Sequence, residues 1–193
     1  MGATWRSTRP GDLFVLLVPR QREETPAVQM QRELQVFFGG RSVSPVHVTL
    51  ERFELHDQQN LEEITWRLEQ QAKLHLPFPV TSFSVETIKG DFRGGYLLKW
   101  LVYLSDPLSQ WINFVRGTLD AIRARRFYSS LGDMWTVTAL EGIKELDTLP
   151  FLAQAAFPQD LFTAEQILIS RILGPNEHET LGRFDLLDQK SQL

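Results

Sequence analysis

The stretch Pro45-Val46-His47-Val48-Thr49-Leu50-Glu51-Arg52-Phe53 decides the fold, because a near-copy returns as Trp135-Thr136-Val137-Thr138-Ala139-Leu140-Glu141. In the first copy Val46, Val48 and Leu50 alternate with His47, Thr49 and Glu51, the period-two pattern of a strand with one face buried. What precedes each copy is also repeated. Leu13 to Val18 is a short apolar run closed by Pro19, and Tyr96 to Leu104 is another, closed by Ser105-Asp106-Pro107. A helical pattern follows each proline. Pro19 lies 28 positions before His47 and Pro107 lies 29 before Thr136, so the two units have nearly equal lengths. This predicts one domain over 1–193 with repeat units near 13–55 and 96–143, packed about a pseudo-two-fold axis. The two Val-x-Thr strands would then meet at one cleft.

The other elements read outward from these. Pro26 opens a helix carrying Val28, Leu34, Phe37 and Phe38, and Gly39-Gly40 stops it. The first motif strand is expected over Val43 to Leu55. Asn60 caps a helix with Leu61, Ile64, Leu68 and Ala72, which Pro77 ends. Val80 to Ile88 is a strand, followed by a turn over Gly90 to Gly95. Asp106 is placed as N-cap with Pro107 at the first helical position, and that helix is expected to run through Trp111, Phe114, Val115, Leu119 and Ile122 toward Arg126. Met134 to Ile143, Ala164 to Leu173 and Thr180 to Leu187 read as strands, and Asp188 to Leu193 as a polar tail. The fold class is α+β: two pseudo-symmetric lobes with antiparallel sheets and outer helices around a central cleft.

Composition narrows the function. The 193 residues carry 20 Lys+Arg against 24 Asp+Glu, a net charge of −4, which excludes coating nucleic acid by bulk charge and leaves room only for a local basic groove. There is no cysteine, so a disulfide framework, a thiolate zinc site and a cysteine nucleophile are excluded. No apolar run approaches the roughly 20 residues of a membrane span, and a cytoplasmic protein without membrane association is expected. Gly39-Gly40 and Gly94-Gly95 read as turns rather than phosphate-binding loops, and no ligand-spaced cluster appears. Neither cofactor nor metal is expected; oligomeric state is left open.

Because side chains alternate, His47 and Thr49 project from one face, about 6.6 Å apart along the strand. Imidazole exchanges protons near neutrality, and a threonine hydroxyl can donate to a phosphoryl oxygen as charge builds on it. Together with the repeat, this pattern resembles the two-histidine phosphoesterase superfamily, which includes 2′-5′ RNA ligase-like proteins and RNA 2′,3′-cyclic phosphodiesterases. The resemblance runs from Leu13 to Pro19, through the His47-Val48-Thr49 signature, to closing strands at Gln166 to Arg171 and Leu181 to Leu186. It implies two facing histidines, one acting as base and one as acid, with two hydroxyl residues holding the phosphate of an RNA end or small nucleotide. In this chain Thr136 stands where the second histidine belongs, and Thr138 keeps the second hydroxyl. The resemblance therefore assigns His47, Thr49, Thr138 and Thr136 to the site.

Other residues stand beside these. Arg123, Arg125 and Arg126 precede the second motif, and Arg125, Arg126 and Tyr128 are candidates for contacting phosphate or a base. The arginines suit a helix's last turn without any ligand, and that is the stronger reading of them. Regular alternation would turn Arg52 away from the cleft. Trp100, Tyr103 and Trp111 read as core, with Trp135 or Tyr128 as candidate stacking platforms at the rim. His178 follows a turn signal and falls outside the repeat; His56 and His75 read as surface residues. Two functions stay open: a metal-independent phosphodiesterase on 2′,3′-cyclic phosphate ends, or a binding module for a nucleotide, RNA end or protein.

Overall fold

A computed structural model describes residues 6–21, 24–55, 57, 59–90, 94–127, 134–144, 160–174 and 177–187. In chain order the elements are β1 (Leu13–Val18), α1 (Pro26–Phe38), β2 (Arg41–Ser42), β3 (Val48–Glu54), α2 (Gln59–Ala72), β4 (Phe78–Lys89) and β5 (Tyr96–Val102). Then follow α3 (Asp106–Ala121), β6 (Arg125–Phe127), β7 (Thr136–Ile143), β8 (Asp160–Ala164), β9 (Gln166–Gly174) and β10 (Glu177–Asp185). Every strand pair among the described residues is antiparallel, in the order β10-β9-β1-β3-β7-β5-β4-β8, with β2 also paired to β7 and β6 to β3. The class is α+β, and the two expected sheets are halves of one curled sheet. The chain itself links the β8 end to β9, one strand in from the other end, since only Glu165 separates β8 from β9.

The helices begin where the side chains provide for it. Thr25 Oγ1 accepts the Val28 N–H at the start of α1, with Pro26 in the first helical position. Ser105, not Asp106, is the N-cap of α3; Asp106 and Pro107 open its first turn. That helix stops at Ala121 rather than running to Arg126. Arg123 takes a positive φ of 58° and turns the chain, so Arg125 and Arg126 lie on β6, a strand, and not in a helical last turn. In α1 the buried positions are Ala27, Gln31 and Leu34, while Phe37, expected inside, is 75% exposed.

Trp100, Trp111, Phe53, Leu17, Leu98 and Leu140 are wholly buried in a core that lies between the sheet and the helices. On the opposite face Leu16, Val18 and Leu168 form a smaller apolar cluster with Phe14. The central strands thus have a packed side toward the helices and an open side away from them.

Candidate active site

β3 and β7 touch in register at one pair, Val48 opposite Val137, both fully buried. From there the strands part, β3 taking β6 and β7 taking β2 as further partners. Antiparallel register beside that pair sets His47 next to Thr138 and Thr49 next to Thr136, all four half-buried on the face opposite the valines. The four residues singled out by the motifs are therefore neighbours across a single strand boundary.

The ladders on either side match about this point. Leu17 lies opposite Val48, and Trp100 opposite Val137; Leu16 lies opposite Thr49, and Lys99 opposite Thr138. Both motif strands carry a bulge at the same place, Leu50 against β1 and Ala139 against β5. A two-fold rotation through the valine pair exchanges His47 with Thr136 and Thr49 with Thr138. Pro107 corresponds to Pro26, each opening its helix, and not to Pro19; the near-equal spans counted from Pro19 and Pro107 start at non-equivalent points.

The bulges overturn the simple alternation beyond each motif. Val15 pairs with Glu51 and Phe14 with Arg52, which turns Glu51 to the packed side and Arg52 to the side of Thr49. Arg52, read from sequence as facing away, donates to Thr8 Oγ1 and the Arg6 carbonyl and lies 5.2 Å from the Phe127 ring centre. Arg6 and Arg125 also stand over that ring, at 3.8 and 5.4 Å. Glu51 is bound instead by Arg116 of α3, with Arg126 at 3.6 Å. Burial pushes its carboxyl above the ordinary range, against the opposing pull of the Arg116 hydrogen bond and charge and of Arg126.

These contacts separate the candidate arginines. Arg126 shares the packed side with Phe53, donating to Asp120 at 3.1 Å, whereas Arg125 is exposed on the side of Arg52 and Phe127. Tyr128 and His56 lie outside the described residues. Trp100 and Trp111 are core, as read; Trp135 faces α3 under the Arg116 guanidinium, 5.2 Å away. Tyr103 is not core: it is 61% exposed and meets Phe83 edge to face. His178 sits exposed on edge strand β10, with β9 and β1 between it and β3. His75 is not a free surface residue but packs on the Trp111 ring at 5.0 Å, and burial lowers its pKa.

His47 is fixed by its own strand entry. Its Nδ1 lies 2.7 Å from the Pro45 carbonyl oxygen, which can only accept, so Nδ1 carries the proton and Nε2 holds the lone pair in the neutral ring. The opposite motif is held from α1. Where β3 and β7 diverge, the buried Gln31 amide donates to the carbonyls of Val43 and Thr138, at 3.3 and 3.2 Å, replacing ladder bonds that the divergence removes. A cavity of about 400 Å³ lies elsewhere, between the start of α1 and β8, lined by Pro19, Thr25, Phe162 and the carboxylates Glu24, Asp160 and Glu165. None of the four motif residues lines it, and its acidic rim opposes an anionic ligand.

No family model matches the chain, and no curated protein sequence matches it. Solved structures do. A structure described only as a phosphoesterase is 15% identical over 93% of this chain and all of its own, with a TM-score of 0.59. TT0787 of Thermus thermophilus is 15% identical, covering 92% of this chain and 99% of its own at a TM-score of 0.60. LigT of E. coli in its apo form is 13% identical, covering 94% of this chain and all of its own at 0.55. The motif residues are thus carried on the fold shared by these phosphoesterase and LigT structures, nearly end to end.

Proposed function

We propose that this protein is a metal-independent phosphodiesterase of the two-histidine type, acting on nucleotides or RNA ends that bear a 2′,3′-cyclic phosphate. The observation that carries the reading is the meeting of His47, Thr49, Thr136 and Thr138 around the valine pair, with the imidazole oriented by Pro45. The Nε2 lone pair would take a proton from attacking water, while the Thr49 and Thr138 hydroxyls donate to the phosphoryl oxygens. Structures of LigT with phosphate and with 3′-AMP support a ligand of this kind on the shared fold.

Thr136 favours a second reading, a cleft that binds the same ligands without converting them. A threonine is too weak an acid to protonate a departing ribose oxygen. Turnover of a 2′,3′-cyclic nucleotide and of a short cyclic-phosphate-ended RNA, measured for the parent, His47→Ala and Thr136→His, separates the two. Hydrolysis that falls about 10²–10⁴-fold in His47→Ala is the expected result. An inactive parent with a gain of turnover in Thr136→His would establish the binding module, and equal activity in parent and His47→Ala would sink the catalytic assignment.

A further inference from the structure

The two sides of the pseudo-two-fold axis carry different side chains. Through Thr49 and Thr136 the row across the open face reads Leu16, Thr49, Thr136, Leu101, hydroxyls bounded by leucines on both flanks. The neighbouring row reads His47, Thr138, Lys99, with Glu86 of β4 opposite Lys99 beyond it. Lys99 is half-buried and occupies the place that Leu16 holds in the other half. Adjacent strands lie about 4.8 Å apart, so the His47 and Lys99 backbones flank Thr138 with about 10 Å between them. A phosphate held by the Thr138 hydroxyl would have imidazole on one side and ammonium on the other.

We propose that Lys99 is the cation beside Thr138 in this cleft and does the work left vacant by the threonine at 136. Resting on the phosphodiesterase reading above, the step is an in-line displacement. A water oxygen bonds to phosphorus and its proton passes to His47 Nε2. The bond from phosphorus to one ribose oxygen breaks, and that oxygen takes a proton from the Lys99 ammonium. A phosphomonoester and a ribose hydroxyl are released, and solvent returns the proton from imidazolium to the lysine amine. Before this step the ammonium also neutralises charge on the bound phosphate.

The test compares the parent with Lys99→Met, which keeps the apolar stem, and Lys99→Arg, which keeps the charge, each checked for parental folding by circular dichroism. On a 2′,3′-cyclic nucleotide, kcat in Lys99→Met is expected to fall about 100-fold. On bis(p-nitrophenyl) phosphate, whose leaving group needs no acid, the loss should be less than about tenfold. Equal losses on both substrates, or a cyclic-nucleotide kcat within about twofold of the parent while His47→Ala is inactive, would overturn the assignment and leave the phosphodiesterase reading standing. If the parent turns over nothing, that reading falls instead, and titration with adenosine 3′-monophosphate decides. Binding weakened about tenfold or more in Lys99→Met and restored in Lys99→Arg supports Lys99 as the cleft's cation; unchanged binding overturns it.

Discussion

His47 and Thr49 could be picked from sequence because alternation on a strand is a rigid rule until something breaks it, and nothing breaks it between those two residues. Lys99 could not. It lies in the apolar strand Tyr96–Val102, and only the ladder between β5 and β7 reveals that it faces Thr138. Arg52 misleads for a related reason, since a bulge at Leu50 leaves no mark in composition. His75 shows how an ordinary helix-end histidine becomes structural by packing on a tryptophan. Its pKa is lowered from 6.5 by burial, so the folded protein favours the neutral ring and the unfolded chain binds more protons below that value. The stabilising contribution is present above pH 6.5 and is lost as pH falls through the folded-state pKa. In His75→Phe the dependence of melting temperature on pH between about 7 and 5 should be flatter than in the parent, as read by thermal unfolding at several pH values.

At the level of elements, the order of strands and helices was legible because proline, glycine and capping residues punctuate the chain clearly. Neither β8 (Asp160–Ala164) nor the short strands β2 and β6 were, the latter two having two and three residues and no periodicity to detect. β2 and β6 matter because each crosses from one half to pair with the motif strand of the other. Two glycines fit the outer end of β7 between such neighbours. Gly40 has φ +75°, and a Cβ there would lie 2.7 Å from the Glu141 carbonyl oxygen. Gly95 has φ +69°, with a Cβ 2.9 Å from the carbonyl oxygen of Ile143. Backbone cannot yield as a side chain can, and a left-handed conformation resists any other residue. Gly40→Ala and Gly95→Ala should each cost about 2 kcal/mol. Thermal melts should show this as a fall of about 4–8 °C per substitution.

Taken whole, the molecule looks separable on paper, since its sequence falls into two similar runs. The structure ties them together through the chain and the core. Glu165 donates its N–H to the Val18 carbonyl and accepts the Leu186 N–H, at 3.0 and 2.8 Å, as the chain passes from the β4 end of the sheet to the β1 side. The core likewise runs from Leu13 to Leu186 without a break. Unfolding in urea should therefore be one transition, with tryptophan fluorescence and far-ultraviolet circular dichroism giving coincident midpoints. Two separated midpoints would show halves that melt independently. The unlike rows beside the rotation axis have a last consequence. A scaffold with perfect two-fold symmetry would accept a directional polymer equally well from head or from tail. With His47 and Lys99 in one row and leucines bounding the other, such a polymer would meet two distinguishable approaches here, and the difference lies in the decoration of the strands, not in their arrangement.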